Sequence, residues 1–215
     1  MPVRKIPKNY LHVTGSFSSR KNGRMMGYES PLERDSMILL EYDDDVEAFE
    51  EQPVQIPFRK GVKPYVPDIL VRYKSARKPL LGEIKHTEDL EKNRDKYALK
   101  FEAAKQYAEE QGWEFRTVTE RDIRIPRLDA LKFLREYLNI DPDPAQAARV
   151  VGAMEDAGGK MEVDALLNKL CSTDMGRLTM IPVVWNLAAT GHIVVDMDKP
   201  INDKTFLSLP KGGRK

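Results

Sequence analysis

Tyr65-Val-Pro-Asp-Ile-Leu-Val-Arg-Tyr73 and Leu80-Leu-Gly-Glu-Ile-Lys-His86 are the two runs whose reading decides the fold of this chain. Both are short and rich in β-formers, and the polar stretch Lys74-Ser-Ala-Arg-Lys-Pro79 between them has turn composition, so a hairpin is expected. Side chains alternate across a strand. Glu83 and Lys85 therefore share a face with Leu81, and Asp68 shares a face of the partner strand with Leu70 and Arg72. In register, two carboxylates and one amine converge at one end of the hairpin. Carboxylate oxygens suit a hard divalent cation, and magnesium takes one or two protein carboxylates together with substrate phosphate. Such a cation polarises a scissile phosphate and acidifies a bound water, while Lys85 can neutralise developing charge or orient that water. The pattern Asp68-x14-Glu83-x-Lys85 points to phosphodiester hydrolysis. Taken alone, it is equally compatible with a solvated surface hairpin.

Glu33 adds a third acid. Ser30-Pro31-Leu32-Glu33 carries a helix start signal: Ser at the N-cap, Pro at the first helical position and Glu three residues after the cap. The helix is expected to run through Met37-Ile38-Leu39-Leu40 to about Tyr42, with Glu33 on the same stripe as Met37 and Leu40. Capping alone would also explain Glu33.

A chain of 215 residues with 41% hydrophobic and 32% charged residues has room for one full core and a small second one. No stretch is long and apolar enough for a membrane span, and Met1-Pro-Val-Arg-Lys-Ile lacks the apolar run of a secretory signal, so a cytoplasmic location is expected. The single cysteine, Cys171, excludes an intrachain disulfide and a thiolate cluster, and His12, His86 and His192 match no zinc spacing. The net charge of +1 hides asymmetry. Arg4, Lys5, Lys8, Arg20, Lys21 and Arg24 all precede Glu29, the first acidic residue. Interleaved with Gly and Ser, residues 1–28 read as a flexible basic arm, with Arg4, Lys5, Arg20, Lys21 and Arg24 as candidate DNA-phosphate ligands. The acidic stretch from Glu41 through Asp43-Asp44-Asp45 to Glu51 would repel DNA and is expected to face away from it or towards a partner.

Val54-Gln-Ile-Pro-Phe58 reads as a first strand, with Pro57 marking an edge or bulge. A helix from about Glu88 to Glu110 carries Leu90, Tyr97, Phe101, Ala104 and Ala108 at helical spacing, Gly112 ends it, and Trp113-Glu-Phe-Arg-Thr-Val118 alternates as a strand. Helix, three strands, helix, strand is the order of the restriction-endonuclease-like core, a mixed α/β (α+β) fold.

With that order in place, the segments Gly27-Tyr-Glu-Ser-Pro-Leu-Glu-Arg-Asp35, Phe49-Glu-Glu-Gln-Pro53, Tyr65-Val-Pro-Asp68, Gly82-Glu-Ile-Lys85 and Gly112-Trp-Glu-Phe-Arg-Thr-Val-Thr-Glu120 resemble TnsA, the endonuclease subunit of heteromeric transposases, in the PD-(D/E)XK nuclease superfamily. The resemblance covers roughly the first 125 residues. It implies Glu33, Asp68 and Glu83 as metal ligands and, with Lys85, as the catalytic set; family members vary between Gln and Glu at the position of Glu83. It further implies a magnesium cofactor, with manganese as an alternative, and cleavage of the non-transferred strand at the 5′ ends of a transposon during cut-and-paste DNA recombination. The implied partners are double-stranded DNA, the transposase TnsB and the AAA+ regulator TnsC. One metal or two stays open. So do two alternatives of the same fold: a stand-alone repair or restriction nuclease and a catalytically idle DNA-binding adaptor.

Residues 29–125 are thus expected to be the nuclease domain and 126–140 a connecting helix, with Ile140-Asp-Pro-Asp-Pro144 as stop and hinge. Residues 141–215 are expected to form a winged-helix-like domain: helices at 145–157, 163–170 and 178–189, then a hairpin from Gly191-His-Ile-Val-Val-Asp196 and Thr205-Phe-Leu-Ser-Leu209. The third helix is nearly free of cations. It offers only Asn186 and the flanking Arg177 to base edges and reads as a protein dock at least as readily as a DNA reader.

Overall fold

The computed structural model describes residues 14–210. They fall into two compact units that divide between Arg124 and Ile125.

In the first unit, β1 (Gly15–Ser19) and β2 (Arg24–Tyr28) form an antiparallel hairpin. The expected flexible arm is therefore ordered from Gly15 on. The reason lies in an apolar pair set among the cations: Phe17 and Met26 face each other across the hairpin, 4% and 0% exposed. Arg4 and Lys5 lie outside the described residues. Helix α1 (Pro31–Glu41) starts as its sequence dictates, with Ser30 Oγ accepting from the Glu33 N–H and proline in the first turn. Leu32, Met37 and Ile38 bury its inner side.

Strands β3 (Val46–Glu51), β4 (Ile69–Tyr73), β5 (Leu80–Ile84) and β6 (Glu114–Val118) form one sheet in that order, the first three antiparallel and β6 parallel to β5. The first strand is thus not Val54–Phe58, which contributes a lone bridge from Ile56 to Tyr65. It is the stretch read as an acidic patch. Charge misleads there because Val46 and Phe49 are fully buried and Glu51, though acidic, is buried against Arg24. The expected long helix is broken at Asn93 into α2 (Thr87–Lys92) and α3 (Arg94–Glu110), which together make the crossover from β5 to β6. A parallel pair needs such a crossover. α3 lays Ala104 and Ala108 over Leu70 and Leu81 of the sheet, and a short α4 (Glu120–Ile123) follows β6. This is a mixed α+β, restriction-endonuclease-like architecture.

The second unit holds α5 (Pro126–Arg135), α6 (Pro144–Asp156), α7 (Val163–Leu170) and α8 (Asp174–Ala189), with a three-stranded sheet in which β9 (Phe206–Ser208) lies between β7 (Lys160–Glu162) and β8 (Val194–Val195). Its core gathers Val150, Met154, Leu166, Val184, Trp185, Ile193 and Leu207. Helix α5, expected as a separate connector, belongs to this unit: Leu134 joins the core and Phe133 meets Trp185 edge-on at 5.0 Å. Helix α8 begins earlier than expected, capped by Thr173, and Pro182 sits within it. Asn186 is 4% exposed, and its Nδ2 donates to the carbonyls of Tyr137 and Ile140, 2.8 Å each. Arg177 is tied to Asp164 and Asn168. Both polar residues that α8 offered for reading bases are thus engaged within the unit.

Candidate active site

Strand register assembles the site. Ile69 pairs with Gly82 and Leu70 with Leu81, so the residues just beyond, Asp68 and Glu83, stand across from each other at the end of the β4–β5 pair. Gly82 permits the close approach: a Cβ there would meet Ile69 Cγ2 at 2.9 Å, in an interior where Ile69 is 2% exposed. Asp68 is fixed from three sides. Its N–H donates to the Gly82 carbonyl at 3.1 Å, its carbonyl accepts from the Gln52 N–H at 2.9 Å, and its Oδ2 accepts from the Ile84 N–H at 2.7 Å.

Lys85 lies between the two carboxylates. Its Nζ is 3.0 Å from Asp68 Oδ2, 3.0 Å from Glu83 Oε1 and 3.1 Å from the Ile84 carbonyl, which uses all three ammonium hydrogens. Those neighbouring carboxylates raise the lysine pKa against the opposing effect of burial. Glu83 is 4% exposed, and burial together with the Asp68 charge lifts its pKa to about 7 despite Lys85. Its second oxygen, Oε2, accepts a 2.7 Å hydrogen bond from the Tyr65 hydroxyl.

Glu33 reaches the same electrostatic neighbourhood from the start of α1. Its carboxylate accepts from the Glu29 N–H at 2.7 Å and from Ser30 Oγ at 3.0 Å. These are cap bonds, yet burial and the Asp68 charge lift its pKa to about 7 while Lys85 pulls it down. Capping and membership of the acidic cluster are therefore both true of Glu33. Two carboxyls with raised pKa beside Asp68 mark a cluster with more negative charge than a single lysine compensates.

The structure thus gathers Asp68, Glu83 and Lys85 by direct contact and Glu33 by proximity of charge. The cations expected to contact DNA fare differently. Lys21 Nζ is spent on the carbonyls of Asp43 and Val46, at 2.5 and 2.6 Å. Arg24 forms a two-pronged bond to Glu51, at 2.7 and 2.6 Å. Both are tethers of the β1–β2 hairpin, bonded inwards because the neighbouring strand supplies buried acceptors that need a donor. Arg20 is exposed. His86 points to Glu120, 3.5 Å from its carboxylate, away from the acids of the site.

Two residues of the site escaped the sequence reading. Tyr65 is brought to Glu83 by the Ile56–Tyr65 bridge, a non-local pairing that no periodicity announces. Gln52 is 6% exposed and holds a left-handed backbone, φ +46°, uncommon for a residue with a Cβ. Its position immediately before Pro53 favours extended backbone instead, so nothing local announced this turn.

The donor chemistry fits a hard cation, since Glu33, Asp68 and Glu83 offer only oxygen. As the side chains stand, no three carboxylates, imidazoles or thiols among the described residues are close enough to share one ion. Lys85 Nζ holds the space between Asp68 and Glu83.

Residues 43–120 match the family model described as the TnsA-like endonuclease N-terminal domain. Glu33 precedes the matched segment, while Asp68, Glu83 and Lys85 lie inside it. No curated protein matches the chain. The paired strands that position Asp68, Glu83 and Lys85 thus lie in a segment similar to the N-terminal domain of TnsA-like endonucleases of the PD-(D/E)XK superfamily.

Proposed function

We propose that the protein is a divalent-cation-dependent DNA endonuclease subunit of a heteromeric transposase, cutting the non-transferred strand at the 5′ ends of its element. The observation that carries this reading is the Lys85 ammonium set between Asp68 and Glu83, with Glu33 sharing their field. Glu33, Asp68 and Glu83 would hold magnesium or manganese, which supplies Lewis-acid polarisation of the phosphate and an acidified water. The chain's own residues prepare that chemistry. The Ile84 N–H and the Gln52 N–H fix Asp68, the Tyr65 hydroxyl orients Glu83, and Lys85, released from one carboxylate, puts its charge where the pentavalent phosphate gathers negative charge.

Partner dependence rests on the family. The TnsB-like and TnsC-like partners would meet the second unit, read as winged-helix-like, where Met175 and Leu178 at the start of α8 are 73% and 64% exposed. No helix among the described residues is long and apolar enough to cross a membrane, and action on DNA calls for a cytoplasmic location.

The test is reconstitution with the neighbouring transposase and AAA+ protein on transposon-end DNA, mapping 5′-strand nicks in magnesium. Nicks lost in Asp68→Ala support the reading, and unchanged cleavage removes Asp68 from the site. Nicking of any duplex by the isolated protein would favour a stand-alone nuclease instead. A metal titration adds a finer measure: Glu83→Gln weakens binding less than Asp68→Ala, because an amide oxygen still coordinates.

A further inference from the structure

The four-stranded sheet of the first unit has two edges, and they are treated differently. At β3, Lys21 Nζ donates to the Val46 carbonyl at 2.6 Å and Asn22 Oδ1 accepts from the Phe49 N–H at 3.2 Å, so the β1–β2 hairpin shields that strand. β6 ends the sheet on the other side. Its Glu114 N–H donates to the Pro79 carbonyl and its Val118 carbonyl accepts from the Lys85 N–H, which turns the backbone groups of Glu114, Arg116 and Val118 towards β5. Those of Phe115 and Thr117 point outwards, and no described residue takes them up. Alongside, between β6 and α3, lies a cavity of about 900 Å³ lined in part by Tyr97, Phe101, Lys105, Phe115 and Thr117. Bare backbone on a sheet edge is a template for another strand.

The charges on this edge select which strand. Glu114 and Arg116 are exposed, share a face by alternation and have no ion-pair partner among the described residues. Suppose β6 meets an antiparallel copy of itself. Outward backbone groups must face outward ones, so the two-fold axis passes through a residue and not between two. An axis at Glu114 or Arg116 sets that charge against itself. An axis at Thr117 sets Arg116 against the apolar Val118 and carries Glu114 past the end of the partner strand. Only an axis at Phe115 puts Glu114 across from Arg116, and it does so twice, at non-hydrogen-bonded positions where side chains approach most closely. The outward N–H and C=O of Phe115 then meet their own counterparts.

We propose that β6 is the interface of a homodimer, in which two chains pair antiparallel about Phe115 and their sheets run on as one. The inference goes beyond the nuclease reading and does not depend on it; under that reading the dimer carries one acidic site in each half, as an element with two ends would use.

Sedimentation velocity of the full-length protein in EDTA, over a range of micromolar concentrations, tests it without metal or DNA. The unmutated chain shows a monomer–dimer equilibrium. E114R and R116E each set like charges together at both crossing points and weaken association about tenfold, although they shift the net charge in opposite directions. The double variant E114R/R116E restores opposite signs and recovers most of the association, and the two single variants mixed together pair with each other. Melting temperatures of all variants, measured alongside, separate lost association from lost fold. A chain that stays monomeric throughout overturns the proposal, including one whose β6 edge is taken by a strand of a partner protein instead. So do single variants that dimerise like the unmutated chain, or a double variant no better than the single ones. Failure of the nuclease reading would look different: a dimer that obeys this charge rule and never nicks DNA in magnesium.

Discussion

The hydroxyl of Tyr65 donates to Glu83 Oε2 across 2.7 Å, although eighteen residues separate the two in the chain and both are almost wholly buried. A buried carboxylate with one oxygen held by Lys85 and the other by a phenol has little rotational freedom. Tyr65 is therefore a positioning residue. Tyr65→Phe keeps the ring in its packing with Phe101 and removes only the donor. Stability falls by about 1 kcal/mol, and kcat for nicking falls roughly tenfold with KM for DNA unchanged. Single-turnover nicking at several DNA concentrations separates the two constants, and an unchanged kcat would confine Tyr65 to packing.

Lys85 neutralises the acidic pair in the absence of any other cation. Lys85→Met leaves Asp68 and Glu83 facing each other with no compensation, at a cost of roughly 2–3 kcal/mol at pH 8. Protonation of Glu83 relieves that repulsion, so the deficit shrinks towards pH 5.5. Denaturant midpoints at the two pH values measure the difference, and nicking is expected to drop by at least about a hundredfold. Equal destabilisation at both pH values would mean that Lys85 acts through its methylenes.

The pH dependence of the metal-free protein follows from Glu33 and Glu83, both raised from 4.5 to about 7. Between those values the folded chain holds more protons than the unfolded chain, so raising the pH removes protons from the folded state at a cost. Stability therefore falls as pH rises from about 4.5 to 7 and levels off above it, with a loss on the order of several kcal/mol for the two carboxyls together. The proposed divalent cation would bind the ionised carboxylates and is expected to reverse the trend. Calorimetric melting from pH 5 to 8, with EDTA and with magnesium, is the measurement. A flat metal-free profile would show that the two carboxyls titrate normally.

Cutting the chain between the two units tests where the second one starts. Phe133, Leu134 and Tyr137 pack into the core around Trp185, so a fragment ending at residue 140 carries apolar surface torn from that core. A fragment ending at Arg124 does not. The shorter piece is expected to melt cooperatively and stay monodisperse, while the longer one associates; light scattering alongside thermal unfolding compares them. The reverse order would return α5 to the nuclease unit.

Much of the site was legible because local rules govern it. Alternation put Glu83 and Lys85 on one face, and a helix start signal set Glu33 at the first turn of α1. The hairpin brought Asp68 opposite Glu83 because Leu70 pairs with Leu81 and Ile69 with Gly82, whose missing side chain leaves room for Ile69 Cγ2. Where the sequence misled, charge was read without its partner. Arg24 and Glu51 looked like a DNA ligand and part of a DNA-repelling acidic stretch, and each is the other's burial condition. Phe17 and Met26 turned a basic arm into a hairpin by the same kind of cross-chain pairing.

The sequence by itself determined the start of α1, the β4–β5 hairpin, the helical crossover to β6 and which side chains are proposed for metal-assisted hydrolysis, since these depend on periodicity, capping and chemical identity within a few residues. Only the tertiary structure decided that Tyr65 holds Glu83, that Gln52 steadies Asp68, and that Lys21 and Arg24 serve the fold. Those outcomes depend on which distant groups share a low-dielectric interior, where an unpaired polar atom is too costly to leave alone and the nearest partner in space, whatever its place in the chain, settles its role.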